Sequence, residues 1–478
     1  MKYVIGLDLG STAVKGVAIT EAGEIMSVER ETIEFGQGTR QSVYELPVDD
    51  YVQLLCSLLG KLIAKRHALA SIAWVTAGGN LILLDKQGRA LAPMMSWLDK
   101  RPLDGSIDQE LAAIPASEVY RTVGWPLAPQ FPLGRLLWIR KNHPELLHKA
   151  RRVCMNNDYL GHYLTGIWAL DDSTATTFYL YDQVKKTVSR EQLALAGLHS
   201  EQISPLLPSG ARLGPLTPEV CRRYSLDCGA APEVVLGSFD HPGAARATGL
   251  RKLSQLMFSC GTSWVGCMVL PDRETGLERQ LLLDPFTSSS GGSWFGMFSE
   301  AGLGRHFDSW VSEFLARFRP GSSLDLRLFD QLASRADGSG VPIVDPVQQP
   351  LDDALYAQLD GMYSSEAIAR AVLEGVVFRF KLLMQTKGLS IDNVDEIFLV
   401  GGPAESSLWP QIIADSFERP VLIRFGQTAG AVGAALMAAG GIGMPLELQE
   451  GPKTVTPDPA RFDELRVRFA GFCAMRRT

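Results

Sequence analysis

The apolar positions of this chain switch between two periods. In "VIGLDLGSTAVKGVAIT", Val4 to Thr20, a continuous apolar run ends in Asp8 and a tight turn carries Gly10, Ser11 and Thr12. A second run then alternates, with Val14, Gly16 and Ala18 on one face and Lys15, Val17 and Ile19 on the other. Period two with frequent β-branched residues predicts strands, and "TEAGE" ahead of Ile25 predicts a further turn and strand: an antiparallel meander. "SIAWVTAGGNLILLD" reads as strand, glycine turn, strand, and "EIFLVGGPAESSLWPQIIADSFERPVLIRF" as strand, glycine loop, helix, strand. Helical spacing marks "PVDDYVQLLCSLLGKLIAKRH", "HPELLHKA", "SSEAIARAVLEGVVFRFKLLMQTKGL" with Gly388 as its stop, and the small-residue run "TAGAVGAALMAAGG". "EVVLGSFDHPGAARATGL" predicts an apolar strand ending at Asp240, then a helix opened by Pro242. "GARLGPLTPEVCRRYSLDCGAAPEVVL" is rich in Gly and Pro and predicts surface connection. Strands alternate with helices, which is the α/β class.

The first turn invites chemistry. A dinucleotide fold follows its glycine turn with a helix, and no GxxxxGK[ST] occurs here. Free backbone N–H groups and two hydroxyls can cradle phosphate, and Asp8 can hold Mg²⁺ through oxygen or water; an ordinary hairpin with a polar tip is the alternative. The layout recurs in "QLMFSCGTSWVGCMVL", where a strand reaches Cys260, Gly261, Thr262 and Ser263 form the turn, and a strand leaves. Two copies half a chain apart suggest duplicated domains. Ser259 stands where the first copy has Asp8, as expected of a phosphate clamp with one metal-side jaw.

Composition narrows the class. The chain has 478 residues, 46% hydrophobic and 21% charged, with a net charge of −7. That length predicts two or three domains, and the acidic balance argues against nucleic acid or anionic membrane as main partner. No apolar run reaches a membrane span, and the acid in "MKYVIGLDLG" argues against a signal peptide. Seven scattered cysteines without CxxC predict reduced thiols and a cytoplasmic location. The domain break is expected near Thr248, giving residues 1–248 and 249–478.

The stretches "GLDLGSTAVKGVAI", "SWLDKR", "NNDYLGHYLTG", "GSFDHPGAARATG", "SCGTSWVG", "RAVLEGVVFRF", "LVGGPAESSLWPQIIAD" and "TAGAVGAALMAAGG" occur in one order across nearly the whole chain. That order resembles the FGGY carbohydrate kinases, the family of xylulokinase, fuculokinase, rhamnulokinase and glycerol kinase. The resemblance implies the actin-like ATPase fold, two RNase H-like domains around a cleft. It also implies transfer of a phosphoryl group from MgATP to a hydroxyl of a sugar or polyol. The nearest variants are ketose kinases, so a pentulose or hexulose is the expected substrate, with a polyol kinase or a non-catalytic actin-like protein as alternatives. The partners implied are a small sugar and ATP, with a homodimer open.

The resemblance also implies roles. Asp240, at a strand end and a helix start, is the expected general base; capping that helix is the alternative. Asp8 is the magnesium-side carboxylate. Gly10, Ser11, Thr12, Gly261 and Thr262 are expected at the phosphates, Gly401 and Gly402 at the adenosine, and Ser406 at the adenine, with Gly302 or Gly304 also near the nucleotide. On the sugar side, Trp97 either stacks on a ring or fills core, Asp99 contacts sugar or pairs with Arg101, and Gln130 falls at a sugar-contacting position. His241 replaces the usual Asn or Gln beside the base, where it either hydrogen-bonds the sugar or, protonated, lowers the pKa of Asp240. Relatives carry Arg-Glu or Met-His in the turn after "SIAWV", where this chain has Gly78 and Gly79 followed by Asn80. A roomier pocket at that wall is expected, with Asn80 taking over the lost contacts.

Overall fold

The computed structural model describes residues 1–34, 36–37, 42–64, 67–285, 294–319, 324–336 and 340–475. They form two compact units, neither continuous in sequence. The first comprises Met1–Gly249, Leu270–Phe295 and Thr428–Glu450; the second comprises Leu250–Val269, Gly296–Gln427 and Gly451–Thr478.

The meander is present in the first unit as strands Lys2–Leu9, Ala13–Thr20 and Ile25–Thr32, each antiparallel to the next. Ala68–Thr76 joins parallel on the far side of Lys2–Leu9. Glu233–Val235 extends the sheet parallel to Ala68–Thr76, and Arg212–Pro215 closes it antiparallel. The stretch expected as surface connection thus supplies an edge strand and the helix Pro218–Arg223, because Leu213, Leu216 and Val220 are buried. Tyr3, Ile5, Leu7 and Leu9 alternate onto one face and pack with helices Val48–Leu62 and Asn156–Thr165.

Gly6 alternates onto the other face, where a Cβ would collide with backbone of Ala431 and Ala435. The helix Ala429–Gly441 lies there. A Cβ at Gly433 would collide in turn with the carbonyl of Gly243 in helix Asp240–Thr248. Strand and two helices therefore meet backbone to backbone, which only small residues allow. That contact is why Thr428–Glu450, which lies in sequence between two segments of the second unit, belongs to the first.

The second unit repeats the strand pattern. Gln255–Cys260 lies between the antiparallel strand Trp264–Leu270 and the parallel strand Glu396–Gly401, followed by Val421–Ile423 and Lys453–Val455. The longest helix, Ser365–Thr386, packs Phe380 against Phe258, Trp264 and Phe298. Among the described residues no helix is long and apolar enough to cross a membrane. Cys56, Cys154, Cys221, Cys228 and Cys260 are free thiols.

Candidate active site

Strand register brings two carboxylates to one end of the first sheet. Asp8 lies opposite Lys15 on one side and Val75 on the other. The short strand Ser238–Phe239 runs parallel on the opposite side of Ala68–Thr76, with Phe239 beside Thr76. Asp240 is the next residue and the first of helix Asp240–Thr248. The strand ends carrying Asp8 and Asp240 therefore flank Thr76, where parallel strands collect ligands. The expected single strand ending at Asp240 is two pieces, Glu233–Val235 and Ser238–Phe239.

Burial is the main influence on both acids. It pushes the Asp8 carboxyl from its ordinary 3.8 up to about 6; Lys15 pulls it down and Asp240 pushes it further up. Asp240 is likewise raised by burial, opposed by His241 and by backbone N–H groups. The His241 N–H donates to Asp240 Oδ1 at 2.8 Å, and the His241 ring nitrogen Nε2 stands 3.8 Å from the same oxygen. The carboxylate thus sits in the helix's first turn, but the capping position is Phe239, which makes no side-chain cap. Asp8 faces the same way as Gly6, and a Cβ at Gly430 would come within 2.7 Å of its carboxylate. Asp8 therefore abuts the first turn of helix Ala429–Gly441, whose unpaired N–H groups favour negative charge.

The turn after Asp8 is held by the loop that carries Trp97. Trp97 Nε1 donates to Ser11 Oγ at 2.7 Å, and the Trp97 backbone N–H donates to Asn80 Oδ1 at 3.0 Å. An indole N–H only donates, so Ser11 accepts and keeps its own proton for an anion. Trp97 is thereby a brace for that turn, a role that neither stacking nor core filling anticipated. Asn80 is buried and bound to this brace. Thr12 is exposed and Gly10 half-buried.

Asp99 takes its structural alternative. It is 1% exposed; Arg101 Nε and an Arg101 terminal nitrogen donate to it at 2.9 Å, and the N–H groups of Arg101 and Tyr44 at 3.0 Å. Gln130 is exposed, one residue before Phe131. The roomier wall is not found: a Cβ at Gly78 would come within 2.7 Å of Thr177, and one at Gly79 would meet Trp97, Arg135 and Pro132 at 3.4–3.7 Å. Gly79 has φ +89°, which a side chain rarely adopts. The glycines fit filled space; they do not open a pocket.

Three groups carried no sequence signal. Phe239 and Phe131 both pack edge-on to Trp125, Phe131 stacks on Tyr179, and Phe239 meets the His241 ring edge-on, forming an aromatic wall beside Asp240. Arg135 is fully buried and donates to the Gly79 carbonyl, while its Nε and second terminal nitrogen have no hydrogen-bond partner. Burial lowers it to about 9. Ser173 Oγ accepts the Phe239 N–H at 3.2 Å. Lys15, by contrast, is readable from the hairpin: pairing across the turn sets it opposite Asp8.

In the second unit, Gly261 faces open space at the tip of its hairpin. The Gly302 N–H donates to Ser263 Oγ at 3.1 Å, and a Cβ at Gly304 would collide with the Gly261 carbonyl. The start of helix Leu303–Phe318 therefore packs on the second turn. Gly401 has φ +97°, and Gly402 faces open space. Ser406 Oγ accepts the N–H groups of Leu408 and Trp409 at 3.0 and 3.1 Å, so it ties down the start of helix Trp409–Phe417.

A hairpin-led sheet with a parallel third strand, built twice, with an acid at the first turn and another at the neighbouring strand end, defines a two-domain kinase of the actin-like ATPase fold. Residues 3–245 match the N-terminal domain, and residues 256–441 the C-terminal domain, of the FGGY family of carbohydrate kinases, and the chain belongs to that family. It is 27% identical over 448 residues to the xylulose kinase of Escherichia coli (strain K12), covering 91% of this chain and 88% of that one. It is 24% identical over 467 residues to the gluconokinase of Bacillus subtilis (strain 168), covering 91% and 86%. A ligand-bound xylulose kinase from Lactobacillus acidophilus shares the fold, with a TM-score of 0.83, 20% identity, and coverage of 100% of this chain and 98% of that one. The chain is accordingly an ATP-dependent sugar kinase that binds a small sugar and ATP.

Proposed function

We propose that the chain phosphorylates a ketose of five or six carbons, with Asp240 as the base and Asp8 on the magnesium side. The observation that carries the base assignment is the register: Asp8 and Asp240 end neighbouring elements on either side of Thr76, and each is raised by burial. The raised carboxyl of Asp240 is a better proton acceptor than a solvated aspartate. The His241 N–H at 2.8 Å fixes Oδ1, so the carboxylate meets the sugar hydroxyl in one orientation. The proton passes to Asp240 as the hydroxyl oxygen attacks phosphorus and the ADP oxygen leaves. Ser11, its oxygen engaged by Trp97, directs its proton to a phosphate oxygen. Thr12 and the backbone around Gly10 line the same turn; Gly261 and Thr262 do so in the second unit, Gly401 and Gly402 taking the adenosine.

The acid pair fits Mg²⁺. Burial raises Asp8, Lys15 opposes this only in part, and Asp240 adds to the rise, so a hard cation would relieve the site. Among the described residues no group of three or more His, Cys, Asp or Glu could hold a metal, which suits an ion bound through one carboxylate, water and phosphate. Bound beside Asp8, it would neutralise phosphate charge.

The ketose reading rests on the relative named as a xylulose kinase. A second reading, an aldonate, is favoured by the relative named as a gluconokinase and by the two unpartnered nitrogens of Arg135 behind Gly79. ADP release measured across pentuloses, hexuloses, aldonates and polyols decides. A ketose with the highest kcat/KM is expected. An aldonate in that place favours the second reading, and a polyol there removes both. ATP hydrolysis that no sugar stimulates removes the kinase mechanism itself.

A further inference from the structure

The segment that carries Asp240 has few sheet bonds of its own. Ser238–Phe239 is two residues long and, among the described residues, pairs only with Val75 and Thr76. The Phe239 N–H is bonded to a side chain, Ser173 Oγ, at 3.2 Å. Ser173, on helix Asp172–Phe178, donates its proton to Asp284 Oδ2 at 2.6 Å. Both are buried, at 3% and 1% exposure. A serine hydroxyl has one proton. Because Asp284 takes it, the serine lone pairs are left for the Phe239 N–H.

A second link runs from the same helix. Arg246, six residues after Asp240, feels the charges of Asp284, Asp172 and Asp171. Asp171 caps the Ser173 helix through the Thr174 N–H at 2.7 Å, and Asp172 takes the Ser209 N–H and the Lys186 ammonium. Asp284 is thereby linked through Ser173 to Phe239, the residue before Asp240, while its charge acts on Arg246 after it.

We propose that Ser173, oriented by Asp284, is a positioning residue for the phosphoryl-transfer step, setting the place of Asp240 through the Phe239 N–H. This rests on the assignment of Asp240 as base. The contact acts on geometry alone, since neither Ser173 nor Asp284 is placed at substrate. A base misplaced by about 1 Å costs on the order of 10²-fold in rate. Loss of the contact therefore lowers kcat while leaving the binding of sugar and MgATP nearly intact.

The test compares wild type, Ser173→Ala, Ser173→Thr and Asp284→Asn by steady-state kinetics, thermal melting and hydrogen exchange at the Phe239 amide. Ser173→Ala is expected to lose Phe239 protection and to lower kcat about 10–100-fold, with both KM values within about threefold. Ser173→Thr keeps the hydroxyl and is expected to restore protection and most of kcat. Burial pushes the Asp284 carboxyl up to about 8, so at pH 9, where it is ionised, Asp284→Asn replaces a charge-assisted bond with a neutral one and is expected to lower kcat about three- to tenfold in the same pattern. The proposal is overturned if Ser173→Ala keeps Phe239 protected, if kcat is unchanged in Ser173→Ala or, at pH 9, in Asp284→Asn, or if the loss tracks the unfolded fraction. A failure of Ser173→Thr to restore a folded enzyme's rate also overturns it. Should wild type phosphorylate no sugar, the base assignment fails, while Phe239 exchange still decides whether Ser173 holds that segment.

Discussion

Asp8→Asn tests whether the carboxylate proposed for the magnesium side is held at a cost to the fold. Burial raises Asp8 from 3.8 to about 6, so the native state binds its proton more tightly than the unfolded chain. The sign follows. Below pH 3.8 the group is neutral in both states and carries no penalty. Between 3.8 and about 6 the unfolded chain releases the proton first, and stability falls as pH rises. Above about 6 the penalty is complete. Two pH units correspond to about 3 kcal/mol, a ceiling because the half-buried carboxylate keeps some water. Asparagine has the same shape and no charge. Asp8→Asn is therefore expected to be more stable than wild type at pH 8 by up to about 3 kcal/mol, with the gain vanishing towards pH 4. Calorimetric or denaturant unfolding of both proteins from pH 4 to 8, without nucleotide, measures it. Magnesium should then raise the Tm of wild type more than that of the variant, since an ion that binds only the native state stabilises by mass action. A variant less stable than wild type at pH 8, or one whose deficit or gain is flat with pH, refutes the reasoning.

Asp240→Asn should lower kcat about 10²–10⁴-fold while the KM for MgATP stays within a few-fold; rescue by excess magnesium would exchange the roles of the two acids. In wild type the acid limb of the kcat profile should lie above pH 3.8, because burial raises Asp240, and a limb at or below 3.8 speaks against it as the base. Gly78→Ala should destabilise by about 1–3 kcal/mol through its collision with Thr177, read as a drop in Tm; unchanged stability would mean that the turn has room for a side chain after all.

The meander, the duplicated turn and the order of strands and helices were legible because each rests on local periodicity. Asp8, Lys15 and the turn follow from one hairpin, and the small-residue run announced a helix that packs closely. What it packs against was not legible: Gly6 and Gly243 are its neighbours only because the chain returns to the first sheet. The same limit explains the sugar side. Gly78 and Gly79 suggest empty space in a linear reading, but Thr177, Pro132 and Arg135 fill it from distant segments. Asp99 has an adjacent arginine, and the choice between sugar and Arg101 depended on Tyr44 and Glu45, 55 and 56 residues from the atoms they meet. Ser173 leaves no trace in spacing, since its partners, Phe239 and Asp284, lie 66 and 111 residues away.

The return of Thr428–Glu450 to the first unit has a consequence for synthesis on the ribosome. When Gly249 has emerged, the strand bearing Asp8 has one face covered and the other bare, because helix Ala429–Gly441 does not yet exist. That helix follows roughly 180 residues later, and at about 5–20 residues per second the wait is on the order of 10–35 s. Over that time the nascent first unit presents a glycine- and alanine-lined groove with no occupant. The second unit, whose strand Lys453–Val455 follows that helix, is finished later still, so the carboxylate pair acquires its final setting only after most of the second unit has been made.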